Sequence, residues 1–210
     1  MSGIRAIMKN EKTREMKKTM KAMGRRGWVL VLGLAAVAAS SSARGEASDV
    51  LGTFGEWTAF ADGQGASKLC YMASAPVKKE GKYSNRGEAA VLISHNLADK
   101  TFDVVSIVAG YDYQAGEDVL VQVNEKKFTL FSKGDRAWNS DGAADKAMVA
   151  AMKKGNSLIV VGTSNRGTRT TDNYSLSGFT KAYEAINKAC PETGAKPAKA
   201  EKNADKKTDK

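Results

Sequence analysis

Residues 28–39 read WVLVLGLAAVAA, an apolar run of 12 residues directly behind a basic leader that ends in Arg25 and Arg26. A helix needs about 20 apolar residues to cross a bilayer, so this run is too short to span and has the length of a signal peptide's hydrophobic segment. Small residues follow at once, Ala36-Val37-Ala38 and then Ala39 to Ala43, as a signal peptidase requires. The expectation is a signal-peptide region over residues 1–47, cleaved between 38 and 47. What remains is an exported chain, in the periplasm or at the cell surface, with no integral membrane span. The leader places 27 residues before the run, and Met16, Met20 and Met23 all offer later starts. A later start is the simpler account of that length. Twin-arginine export is the alternative, but Gly24 stands where Ser or Thr is usual.

Export changes how charge is read. The whole chain carries a formal net charge of +10. Residues 1–47 hold 10 Lys+Arg and 3 Asp+Glu, and residues 192–210 hold 6 Lys and 4 acids. Between them, residues 48–191 hold 17 basic and 16 acidic side chains and are nearly neutral. Nucleic-acid binding therefore loses its main support. Cys70 and Cys190 are an even pair in a chain sent to an oxidising compartment, where a structural disulfide is the expected use. Metal binding by two thiols is the sharper alternative. Nothing at zinc-like spacing accompanies them, so no metal and no cofactor is expected.

Residues 48–191 are enough for one domain with a real core. The stretch 192–210, rich in Lys and Ala and without a large apolar side chain, is expected to stay disordered. Within the domain, short apolar runs alternate with turn signals, the rhythm of an antiparallel sheet protein. The expected fold is mainly β, an antiparallel immunoglobulin-like β-sandwich with a short inserted helix and a C-terminal helix. Strands are predicted at 56–61, 68–75, 89–94, 102–109, 119–123, 126–132, 157–163 and 170–176. Asn124-Glu125 suits a tight hairpin between two of them. Asp141 is placed to cap the inserted helix, which Gly155 closes, and Ser177 to cap the last one. Phe179, Tyr183, Ile186 and Cys190 fall on one stripe of that last helix, and Pro191 ends it.

A catalytic centre is hard to assemble. His95 is the one histidine, at the end of the run AAVLIS, where a strand meets a turn. A turn role suits it better than that of a base. Gly162-Thr163-Ser164-Asn165-Arg166-Gly167-Thr168 has the glycine spacing of a phosphate loop, but Thr168 stands where the lysine belongs and a strand-like segment follows. A hairpin explains those glycines, with Arg166 and Arg169 near its tip as contact candidates. Tyr111 and Tyr113, interleaved with acids, and Trp138 beside the Asp135-Arg136 turn are further candidates for a binding surface. The acids around Tyr111 lack the spacing of a calcium loop. Asn173-Tyr174-Ser175 matches a glycosylation sequon, a pattern common by chance.

Taken together, FGEWTAF (54–60), KLCYMAS (68–74), VSIVAGYDYQAGEDV (105–119), FTLFSKGDRAW (128–138) and the block from Gly162 to Pro191 resemble the invasion-associated locus B family of alphaproteobacterial exported proteins. The resemblance covers residues 54–191 and is most specific from Gly162 to Cys190. It implies a small β-sandwich with a C-terminal helix at the cell envelope or beyond, and a role in invasion or colonisation of host cells. It brings no catalytic residues. Some members carry a further cysteine shortly after the tryptophan matching Trp57; Phe60 and Ala61 stand there in this chain, which leaves one bridge. The expected function is that of a non-enzymatic envelope or surface protein that binds an envelope or host-surface component. A periplasmic stress module or hydrolase inhibitor is the alternative.

Overall fold

Strand β7 (Val119–Val123) shows how the sequence writes this sheet. Val119, Val121 and Val123 are buried while Leu120 between them is exposed, the period of two of a strand with one solvated face. The computed structural model describes residues 48–192, and over them the same pattern builds eleven strands and two helices. The expectations for residues 1–47 and 193–210 lie outside the described residues. In chain order the other strands are β1 (Asp49–Phe54), β2 (Trp57–Asp62), β3 (Leu69–Ser74), β4 (Lys78–Gly81), β5 (Ala90–Asn96), β6 (Thr101–Val108), β8 (Lys126–Lys133), β9 (Arg136–Trp138), β10 (Ser157–Thr163) and β11 (Arg169–Ser175). Helix α1 (Gly142–Lys154) lies between β9 and β10, and α2 (Phe179–Ala189) follows β11.

All pairings are antiparallel, in the order β1-β2-β3-β5-β6-β9-β8-β7-β10-β11-β4. The mainly antiparallel β character is as the sequence implies. The strands form one continuous ladder. Its pivot is β8, whose residues from Lys126 to Leu130 pair with β7 while Phe131 to Lys133 pair with β9. The two arms share one core. Trp57, Met72, Ile93 and Ile107 of the first arm meet Val121, Leu130, Leu158 and Tyr174 of the second, and Met148, Met152, Phe179 and Ile186 of the helices close it. Trp57 is fully buried and donates its indole N–H to the carbonyl of Ser175 at 2.9 Å, tying the arms together.

All eight predicted strands form, with ends displaced by no more than two residues. Three further strands went unread. Strand β4 is KKEG with every residue exposed, β9 has three residues, and β1 is interrupted by a register shift between Val50 and Gly52. None offers an apolar period to read. The hairpin at Asn124-Glu125 closes as two residues, with Asn124 itself at φ 51 in the left-handed region.

Asp141 caps α1 as expected, its carboxylate accepting the Ala144 N–H at 2.8 Å. The cap of α2 is a correction. Gly178 stands at that position with φ 86, and no side chain caps the helix. A Cβ at residue 178 would lie 1.9 Å from the Phe54 carbonyl oxygen, so only glycine fits where the expected cap, Ser177, precedes it. The apolar stripe is as read, with Phe179 and Ile186 buried and Tyr183 half-buried. Cys190, the residue after α2, is bonded to Cys70 of β3 with Cα atoms 5.9 Å apart.

The bond closes a loop of 120 residues. Loop-closure entropy for that length stabilises the fold by roughly 5 kcal/mol at 25 °C, with native strain subtracting from it. Replacing both cysteines by alanine is expected to lower the unfolding free energy by about 2–5 kcal/mol in urea melts, with the same loss on reduction of the natural bond.

Candidate functional site

Two groups of residues stand out once the strands are in register, one inside the fold and one on its surface. The inner group turns two of the expected contact residues inward. Tyr113 is buried, and Tyr111 is half-buried with its hydroxyl 2.6 Å from that of Thr170. Burial raises both phenols above their ordinary range. Tyr113 lies across Gly162, where a Cβ would come within 2.5 Å of its ring. The glycine read as part of a phosphate-like loop is therefore a packing glycine, and the aromatic expected on the surface is what it packs against.

At the centre of this group is Arg86, from the segment between β4 and β5. Its Nε donates to the Ala109 carbonyl at 2.7 Å, and both terminal nitrogens donate to the Asp172 carboxylate of β11. The two side chains are 3 % and 5 % exposed. Tyr83 and Tyr111 place their rings 5.4 and 5.0 Å from the guanidinium carbon. Burial alone would weaken the charge on Arg86, but the bidentate carboxylate outweighs it and holds the guanidinium firmly protonated. Nothing in SNRGE (84–88) signals this pair, because a loop arginine looks the same whether it faces water or a buried acid.

The surface group lies on the outward face of the second arm. Directly opposed residues of an antiparallel pair share a face. The register therefore gives one row Thr129–Leu120–Val161–Thr171–Glu80 across five strands, with Phe131 beside it and paired to Trp138. Leu120 is 47 % and Phe131 51 % exposed, and the rings of Phe131 and Trp138 lie 5.8 Å apart. Lys127 and Lys133 flank Phe131 on its own strand, and Arg169 begins β11 on the same face; all three are exposed. The carboxylate in the row, Glu80, is occupied by Lys78. Trp138 and Arg169, both expected as contacts, thus belong to this face. Leu120 and Phe131 were missed, although the signal was available: each is a large apolar residue at the position that alternation assigns to solvent.

Arg166 is exposed in the β10–β11 hairpin. Ser164 organises that loop, its hydroxyl accepting from the amides of Arg166 and Thr168 at 3.3 and 3.1 Å. Strand β11 follows directly, where a phosphate loop would be followed by a helix. His95 is 1 % exposed and lies beneath α2. Among the described residues no group of three or more His, Cys, Asp or Glu could hold a metal ion, and no helix is long and apolar enough to cross a membrane.

The architecture defines a class, a single antiparallel β domain clasped by one disulfide and closed by two helices, with an apolar patch on an outward sheet face. The family model for the invasion associated locus B (IalB) protein matches residues 57–187, and the chain belongs to that family. No curated protein sequence matches it. Among solved structures, the crystal structure of invasion associated protein B from Bartonella henselae is similar at 22 % identity, over 67 % of this chain and 94 % of that one, with a TM-score of 0.47.

Removing one partner of a buried ion pair leaves the other charge stranded, at about 3–5 kcal/mol. Arg86→Met is expected to destabilise the protein by that amount in denaturant melts. The double change Arg86→Met with Asp172→Leu should recover most of the loss, since it removes the stranded carboxylate.

Proposed function

We propose that this chain is an exported, non-enzymatic binding protein with an invasion-associated role, and that it holds its partner on the outward face centred on Leu120, Phe131 and Trp138. The observation that carries this reading is the exposure of Leu120 and of Phe131, whose ring lies 5.8 Å from that of Trp138, in the interior of the sheet order. Single exposed apolar residues are ordinary, but contiguous ones in the interior of a sheet mark contact surfaces. Family membership supports the invasion-associated role. The leader and the disulfide support export. Burial of His95 supports a non-enzymatic role, since a base held beneath a helix cannot reach a substrate.

The partner is a protein of the envelope or the host surface, with an apolar contact centre and an acidic rim. Lys127, Lys133 and Arg169 surround the patch, so an acidic rim brings opposite charges together and a basic one is repelled. Aromatic anchors at the middle of such a patch carry most of the binding energy, with the charges governing encounter rate and salt dependence.

The test pairs Leu120→Ser with Phe131→Ser in the oxidised protein. Both side chains face solvent, so unfolding free energy should change by about 0.5 kcal/mol or less. Association with host cells or envelope extracts should weaken by at least tenfold. Unchanged association, with folding intact, would show that the partner is held elsewhere.

A further inference from the structure

The chain's one histidine links the β5–β6 hairpin to the C-terminal helix. His95 lies on β5 opposite Cys70, next to an irregularity in the β5–β6 register between Ser94 and Asn96. Its Nδ1 accepts the backbone N–H of Asp103 at 3.0 Å. A neutral ring that accepts at Nδ1 carries its proton on Nε2, and that buried nitrogen has no hydrogen-bond partner. Asp103 is held at φ 61, in the left-handed region that non-glycine residues rarely occupy. Its carboxylate in turn accepts the Tyr183 hydroxyl of α2 at 2.6 Å. One continuous relay thus runs from imidazole to amide to carboxylate to phenol.

Every element packed on the ring contributes. Strand β6 supplies Asp103 and the Phe102 ring at 5.5 Å, and β3 supplies Cys70, which as half of a disulfide does not titrate. Helix α2 supplies Asn187 and the edge-on ring of Tyr183 at 5.8 Å, followed by Glu192. Helix α1 supplies Lys153, whose Nζ lies 3.6 Å from the centre of the Tyr183 ring. Burial is the largest influence and disfavours the imidazolium, and Lys153 adds to it. Asp103, Asn187 and Glu192 favour the cation without overcoming burial, so the ring titrates below its ordinary 6.5.

We propose that His95, Asp103 and Tyr183 form an acid-sensitive latch on α2. A proton arriving at Nδ1 turns the acceptor of the Asp103 amide into a donor. The two N–H groups then repel, and the strained Asp103 relaxes. Its carboxylate leaves the Tyr183 hydroxyl for the new imidazolium N–H. The helix loses its polar anchor on β6 and loosens around Tyr183, while the Cys70–Cys190 bond keeps its end tethered.

The sign follows from the ring being neutral when the latch is closed. Above about pH 6.5 the closed form has its full stability, because neither state binds the proton. As pH falls below 6.5, the open form takes up the proton first. Its population rises by up to tenfold per pH unit until the closed form is protonated too. This device is independent of the outward sheet face and stands or falls without it.

The experiment is NMR on the oxidised wild-type protein between pH 7.5 and 5.0. Side-chain nitrogen shifts follow His95, and amide exchange, corrected for its intrinsic pH dependence, follows Asp103 and residues 183–188. The latch requires the Nε2–H tautomer at pH 7.5 and a loss of protection at these amides that begins below about pH 6.5 and levels off as His95 of the closed form titrates. In His95→Gln, which still accepts the Asp103 amide but cannot titrate, protection should stay constant over the range. The Nδ1–H tautomer, unchanged protection through the His95 midpoint, or an equal loss in His95→Gln would each overturn the proposal. The wild-type measurement decides on its own if the variant fails to fold.

Discussion

Strand β8 takes part in two pairings, and both faces of the protein depend on how it does so. Its first five residues are hydrogen-bonded to β7 and its last three to β9. Side chains alternate along a strand, so β8 sends Leu130 into the core at 0 % exposure and the adjacent Phe131 outward at 51 %. A slip of one residue would exchange them and turn the whole apolar set of the strand to water. The turn at Asn124-Glu125 prevents that slip. Asn124 adopts the left-handed conformation, which Asn tolerates better than other non-glycine residues, and the two-residue connection sets the register from Val123 opposite Lys126 onward. The common core and the outward patch are therefore two consequences of one register.

Parts of the chain with little apolar pattern of their own are positioned by buried polar contacts. The segment between β4 and β5 is held by the Arg86–Asp172 pair, and Gly87 adds a backbone bond to Gly110 at 2.8 Å. Helix α1 is fixed against β6 through Asp145, whose Oδ1 accepts the Val105 N–H at 3.1 Å and the Asn139 amide at 2.8 Å. Burial pushes the Asp145 carboxyl upward, and those two hydrogen bonds oppose the shift. Such contacts add little net stability compared with well-packed apolar residues, but leaving one half-made is costly. They select one arrangement among those that hydrophobic burial would tolerate. The disulfide does the same for the end of α2.

The elements legible in the sequence were those whose packing repeats along the chain. Alternating valines in β7 and the Phe179–Tyr183–Ile186–Cys190 stripe of α2 each repeat at a fixed period, so local sequence reports the buried face. The pairing of Cys70 with Cys190 was legible by elimination, since no third thiol competes. Strand β4 was not, because KKEG borrows its partner from β11 and has no apolar side to bury. The candidate site was half legible for a similar reason. Trp138 and Arg169 were read as contacts and do lie on the outward face, whereas Tyr111 and Tyr113 gave the same local signal and turned inward. What separates them is long-range: Gly162 opens a space for the Tyr113 ring, and Arg86 arrives 25 residues before Tyr111 to meet it. Neither event leaves a trace within a window of neighbouring residues.

The placement of apolar exposure also says how a partner would be recognised. A sheet can be bound through the backbone of an open edge or through side chains on a face. Both edges of this sheet are poor templates. Strand β4 carries Lys78, Lys79 and Glu80 and has four residues, while β1, with Val50 and Leu51 exposed, is broken by its register shift. Short charged edges and bulges of this kind discourage strand addition. Leu120 and Phe131 sit instead on strands in the interior of the sheet order, where they offer side chains on the outward face. Recognition through a face depends on the shape and chemistry of a few residues, whereas edge pairing accepts almost any extended chain. Under the proposed binding role, charged or broken edges and an open aromatic face favour a specific partner over any extended chain.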